Sequence, residues 1–136
     1  MAAEQVARGT FEPILTPVGK ARALKGVALG RMAIAKTFRG DLQGSSKGGM
    51  LTALTPREGS AGYVAIERVV GTLHGRRGTF VLQHTGVMTR GAPLLAVAVV
   101  PDSGTDELLG LAGTMEIRID DTGHSYELRY SLAPAA

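Results

Sequence analysis

Apolar residues recur at every second position in short runs along this chain, and glycine, proline or aspartate closes each run. A period of two is the signature of strands with one face turned inward. The pattern predicts strands at residues 6–12, 30–39, 44–54, 63–73, 79–88, 94–100, 113–120 and 125–132. Turns are predicted at 55–59, 75–78, 101–104 and 121–123, where Pro presets φ and Gly or Asp tolerates a positive φ. Only residues 106–111 read as a helical turn, and no repeat, low-complexity tract or linker interrupts the series.

Eight short strands in 136 residues predict an all-β chain, an antiparallel eight-stranded barrel or sandwich formed by residues 1–136 as a single domain. Closure removes the strand edges that a long meander would expose, and eight strands enclose side chains or one small ligand. Several strands are apolar on both faces, and the run Leu94-Leu95-Ala96-Val97-Ala98-Val99-Val100 has no polar face. An antiparallel barrel in water needs a polar outside. The second apolar face therefore needs a cover, and a homo-oligomer is the simplest one.

Candidate chemistry sits in the segment from Tyr63 to Gly86, two strand-length runs joined by Gly75-Arg76-Arg77-Gly78. Glu67, Arg68, Gln83 and His84 interrupt its apolar pattern. If Gly78 is the left-handed bulge residue of a type I turn, paired positions put Arg68 and His84 with Val64, Ile66, Phe80 and Leu82. Glu67 and Gln83 then share the other face with Tyr63 and Ala65. A two-residue turn at Gly75-Arg76 would instead set Glu67 opposite His84. Under the bulge reading, an arginine that cannot shed its charge lies among large apolar groups. That face lines either a wet, ligand-sized cavity or an oligomer contact. The plainer alternative makes Glu67 the partner of a neighbouring Lys or Arg and His84 a satisfied core histidine.

Composition narrows the function classes. With no cysteine there is no disulfide scaffold, thiol nucleophile or cysteine-bound metal. No apolar stretch is long enough for a membrane span, and Glu4 and Glu12 interrupt any leader-like start, so a cytoplasmic protein without a membrane partner is expected. Residues 1–90 carry a net charge of +8 and residues 91–136 a net −5. Scattered basic residues with only six Tyr and Phe and no Trp argue against nucleic acid. The asymmetry suits terminal strands lying side by side with opposite charges offset. His74, His84 and His124 lack metal-ligand spacing, so no metal and no cofactor is expected. The serines lack a nucleophile elbow, and Asp120-Asp121-Thr122-Gly123 reads as a hairpin turn, not a calcium loop.

Five segments occur in a telling order: Arg8-Gly9-Thr10-Phe11-Glu12; Lys36-Thr37-Phe38-Arg39-Gly40-Asp41-Leu42-Gln43-Gly44; Glu67-Arg68-Val69-Val70-Gly71-Thr72-Leu73; Gly78-Thr79-Phe80-Val81-Leu82-Gln83-His84-Thr85-Gly86; and Ser103-Gly104-Thr105-Asp106-Glu107-Leu108. Together, over roughly residues 8–132, they resemble the bacterial family catalogued as domain of unknown function 3224. The resemblance implies a small barrel of the allene-oxide-cyclase type and no particular activity. The chain departs from the expected pattern at Gly48-Gly49-Met50-Leu51-Thr52-Ala53-Leu54 and in the plain run from Leu94 to Val100, so a site built there elsewhere would be altered here.

Two functions follow as expectations. The first is a barrel that binds a small, largely apolar molecule in its lumen, with Arg68, Gln83, Tyr63 and Phe80 as contacts. The second, suggested by the resemblance, is a cofactor-free isomerase or cyclase in which Glu67 or His84 transfers the proton. A structural oligomer without ligand is the remaining reading.

Overall fold

The computed structural model describes residues 3–133. Its strands are β1 (Gln5–Pro17), β2 (Arg22–Leu24), β3 (Val27–Gly40), β4 (Leu42–Leu54), β5 (Ala61–Leu73), β6 (Arg76–Thr89), β7 (Ala92–Val99), β8 (Leu111–Asp120) and β9 (Gly123–Leu132). The eight expected strands are all present, most of them longer than the sequence pattern suggested. β2 is an addition, a three-residue flap hydrogen-bonded to β3. Neighbours run β1-β9-β8-β7-β6-β5-β4-β3-β2, all antiparallel, and β1 also pairs with β3. That last ladder closes eight strands into a barrel. The terminal strands do lie together, with Arg8 on β1 paired to Glu127 on β9 at 3.0 Å.

Strand alternation divides the interior into two unlike halves. One half is a solid plug of Leu42, Leu73, Phe80, Leu82, Leu111, Leu128 and Tyr130, all buried. The connection from β7 to β8 seals this end: its 3-10 turn, Asp106–Leu108, drives Leu108 against Gly78, where a Cβ would collide with the Thr105 carbonyl and crowd Leu108. The expected helical turn is thus real but shorter. The inward positions of the other half leave a cavity and include the polar groups Lys36 and His84.

Each tyrosine lies across a glycine on the facing strand. Tyr63 is paired with Gly86, Tyr126 with Gly9 and Tyr130 with Gly113, and a Cβ on any of these glycines would press on its tyrosine or on nearby backbone. The bare glycine lets an aromatic ring fold across the strand, covering backbone that would otherwise lack a packing partner. Tyr126 also fastens the β3–β4 corner, accepting from the Leu42 N–H at 2.9 Å and placing its hydroxyl 3.0 Å from the Arg39 and Leu42 carbonyls.

The wall has one weak seam. β7 and β8 are paired only at Val97–Met115 and Ala98–Thr114, whereas the ladders to β6 and to β9 run the whole length of β7 and of β8 respectively. Past Val97 the two strands part, leaving inward-facing Leu95 and Ile119 41% and 72% exposed.

The β5–β6 hairpin corrects the expected register. Its turn is His74-Gly75, both with positive φ, and Gly71 pairs with Gly78 and Leu73 with Arg76. Two consecutive left-handed residues make a two-residue type I′ turn, whose twist suits a hairpin better than the bulged type I turn centred on Arg76-Arg77. Histidine is among the non-glycine residues that tolerate this conformation best. The shift reverses the relative facing of the strands. Tyr63, Ala65, Glu67, Phe80, Leu82 and His84 point inward, while Arg68 and Gln83 point outward. Neither the expected pairing of Arg68 with His84 on one face nor that of Glu67 with Gln83 on the other holds.

Gly48 sits directly opposite Glu67, and a Cβ there would overlap the Ile66 carbonyl and the Glu67 Cα. Backbone cannot swing aside as a side chain can. Gly48→Ala is expected to lower stability by about 1–3 kcal/mol, the usual penalty for overpacking. Urea denaturation checks it, with Gly49→Ala, whose added Cβ meets only one atom at 4.0 Å, as the control.

Candidate functional site

Four consecutive strands each send one polar side chain into the barrel: Lys36 from β3, Ser46 from β4, Glu67 from β5 and His84 from β6. Lys36 and Ser46 are direct cross-strand partners, while Glu67 and His84 lie on the diagonal, two residues apart along the β5–β6 ladder. Diagonal neighbours are within reach for long side chains. The Glu67 carboxylate is fully sealed from solvent. Its Oε1 accepts from the Ser46 hydroxyl at 2.7 Å, and its Oε2 accepts from Lys36 Nζ at 2.8 Å. His84 Nε2 lies 2.6 Å from the same Oε2, yet its N–H is poorly aligned with that oxygen, which leaves Nε2 without a well-formed partner.

Burial alone would push the Glu67 carboxyl up. The His84 contact, the Lys36 charge and the Lys36 hydrogen bond together outweigh it and bring the group down to about 2. A carboxylate 2.6 Å from an imidazole nitrogen requires hydrogen on that nitrogen, since two lone pairs would repel. In the neutral ring Nδ1 is then bare. No hydrogen bond to it is present among the described residues, and His84 is one of the residues lining the cavity. Tyr63 completes the polar set. Burial, and then the negative Glu67, push its phenol up, so it stays protonated at neutral pH.

These groups form the floor of a cavity of about 150 Å³ in the unfilled half of the lumen. Its walls come from inward positions of seven strands and are apolar: Phe11, Ile34, Met50, Ala65, Leu95 and Ile117, among others. Lys36 Nζ lies 4.9 Å from the Phe11 ring centre, and the His124 ring packs against Phe11 at 5.1 Å, tilted by 52°. Glu67 does not reach the cavity surface; Lys36, Tyr63, His84 and His124 do. A larger depression of about 480 Å³ lies over β6–β8, beside Gln83 and Thr85, and holds none of the polar cluster.

Of the residues the sequence singled out, Glu67, His84 and Tyr63 meet at this floor. Phe80 points inward but is packed in the closed half, and Arg68 and Gln83 stand on the outer wall. The sequence reading missed Lys36 and Ser46. Their signal is present: Met32, Ile34, Lys36 and Phe38 alternate on one face, so the lysine occupies an apolar slot. No group of three or more metal-ligating side chains occurs among the described residues. No helix among them is long and apolar enough to cross a membrane.

The comparisons agree with this architecture. Residues 7–130 match a family described as "Protein of unknown function (DUF3224)". A crystal structure of a protein of unknown function from that family, from Shewanella oneidensis MR-1, is 51% identical, with 98% of this chain and 100% of that chain covered and a TM-score of 0.93. None of the curated proteins matches.

Because the Glu67 carboxyl falls from its ordinary 4.5 to about 2 on folding, it contributes stability that is fully present above 4.5 and lost as pH drops toward 2. The gap corresponds to about 3 kcal/mol. Denaturant midpoints measured from pH 6 to pH 2 should fall over that window. Glu67→Gln should be less stable at pH 6 and show a flatter acid limb; parallel limbs would assign the acid sensitivity to other carboxylates.

Proposed function

The chain belongs to the DUF3224 family, and on that footing we propose that it binds a small, largely apolar molecule in the open half of the lumen, against the floor of Lys36, His84 and Tyr63. One observation carries the reading. A closed barrel with no task would fill both halves of its interior, whereas this one keeps an apolar-walled cavity of about 150 Å³ over a desolvated ion pair. Ligand sites have this character: mostly apolar walls with a few convergent polar groups. Arg68 and Gln83 have no part in it.

A specific feature favours a second reading, the cofactor-free isomerase or cyclase. His84 has Nε2 2.6 Å from a buried carboxylate and lines the cavity, so a ring oriented by Glu67 would act as the general base. Glu67 would act through His84, not on the substrate, and Lys36 and Tyr63 would face developing negative charge on an oxygen.

The test is a titration of neutral apolar probes followed by methyl NMR. Probe binding should raise the melting temperature and perturb Ala65, Ile34 and Ile117 together. Perturbation confined to outer-wall Ile66 and Val87, or none at all, would overturn the reading. Turnover is told from binding by base-catalysed deuterium exchange beside a carbonyl, which His84→Ala should abolish.

The outer wall supports a homo-oligomer built of copies of this chain. Leu51, Val64, Ile66, Val87 and Leu94 point outward on adjoining strands β4–β7 and are each about half exposed or more. Contiguous apolar patches of that kind are covered in most soluble proteins. Sedimentation at micromolar concentration should show a species larger than 14.1 kDa. Ile66→Lys on the wall should shift it to monomer without unfolding it; a wild-type monomer would refute the assembly.

A further inference from the structure

We propose that the lumen ligand is a one-ring molecule carrying a single acidic O–H, of the phenol or aromatic carboxylic acid class, and that His84 shares or takes its proton. The proposal rests on the lumen-binding reading and names its chemical class.

Size sets the first limit. The mostly apolar cavity of about 150 Å³ is the volume that accommodates a benzene ring, and it adjoins a shallower depression of about 670 Å³ that shares Met50, Ala65 and His84. The lining suits a ring as well, since Phe11, Tyr63 and His124 are aromatic and Met50 and Ile117 are apolar.

The polar floor sets the second. Lys36 has three N–H donors and spends one on Glu67, so it offers a donor at the cavity surface. His84 also lines the cavity, and when its ring is neutral the hydrogen on Nε2 leaves Nδ1 as an acceptor. An adjacent donor and acceptor are complementary to an oxygen that both accepts and donates. A hydroxyl does so, whereas an ether, a nitro group or a hydrocarbon leaves the acceptor unpaired in an apolar site, which costs free energy.

Charge selects the acidic hydroxyls. Lys36 and Glu67 offset one another, so a bound anion would be an unpaired charge in a desolvated space. Protonation of His84 removes that obstacle. The proton then lies between the ligand oxygen and Nδ1, and the two limits, O–H donating to Nδ1 and N–H donating to O⁻, have the same atoms and the same total charge. A phenol enters with its own proton. A carboxylate arriving as the anion takes one from solvent. The ionisable groups packed around the ring are Lys36 from β3 and Glu67 and Tyr63 from β5, with His124 from β9 across the cavity. None of the others is placed to supply that proton as directly: Glu67 is ionised and sealed, Lys36 is its partner, and Tyr63 holds its own.

The experiment is calorimetry on the wild-type chain with two matched pairs, phenol against toluene and benzoate against nitrobenzene. Each acid should bind at least about tenfold more tightly than its neutral partner. Benzoate at pH 8, titrated in buffers of different ionisation enthalpy, should take up about one proton per molecule bound, and phenol about none. His84→Phe should abolish that uptake and bring benzoate down to the affinity of nitrobenzene, while His124→Phe should leave the uptake in place. Toluene and nitrobenzene binding in the lumen as tightly as the acids would overturn the proposal and leave lumen binding standing. Failure of all four to bind would remove both. Tight benzoate binding without proton uptake would also refute it, and that measurement needs no variant to fold.

Discussion

The buried Glu67 carboxylate is the constraint on which this barrel depends. A lone carboxylate inside a protein is costly by several kcal/mol, so its burial is tolerable only if other strands bring donors to it. They come from β3, β4 and β6, one each, as Lys36, Ser46 and His84. A slip of one residue in any ladder would turn a donor outward, because side chains alternate along a strand. The cluster therefore fixes the relative register of half the wall. It also separates the packed half of the interior from the open half, so the element that secures the fold is the floor of the cavity.

The glycines carry the complementary part of that design. A wide side chain in a small barrel needs a gap opposite it, and the chain supplies one at Gly48 for Glu67 and at Gly86 for Tyr63. The segment around Gly48, plain by the standard of the expected family pattern, is thus where the site needs the least bulk. Polar floor and missing side chains arise from one requirement, that two facing strands cannot both fill the same volume.

How far the sequence goes can be seen strand by strand. Alternation and turn chemistry located all eight barrel strands, and the terminal charge asymmetry anticipated that β1 and β9 would adjoin, as Arg8 and Glu127 show. Glu67, His84 and Tyr63 were visible as polar or aromatic interruptions. What could not be read was which face they shared. That depended on where the hairpin turned: the glycines at 75 and 78 pointed to Gly75-Arg76-Arg77-Gly78 or Gly75-Arg76, whereas the chain turns at His74-Gly75. Paired positions sum to 149 instead of the expected 154, and that odd shift was enough to bring Glu67 into the lumen with His84 and leave Arg68 and Gln83 outside. Lys36 was missed for a different reason: its place among the apolar alternates Met32, Ile34 and Phe38 marks it as inward, but the carboxylate that neutralises it lies two strands away on β5.

The thin join between β7 and β8 gives the wall the mechanics of a split ring. Elsewhere each strand is tied to both neighbours by long ladders, so the circumference cannot change without breaking many bonds. At this line two residue pairs hold the circle shut. A small parting there would widen the bore on the open side while the floor, clamped from β3 to β6, stayed rigid. The barrel is in that sense a cup of fixed base and adjustable girth, whose mouth can change width without moving the polar groups of its floor.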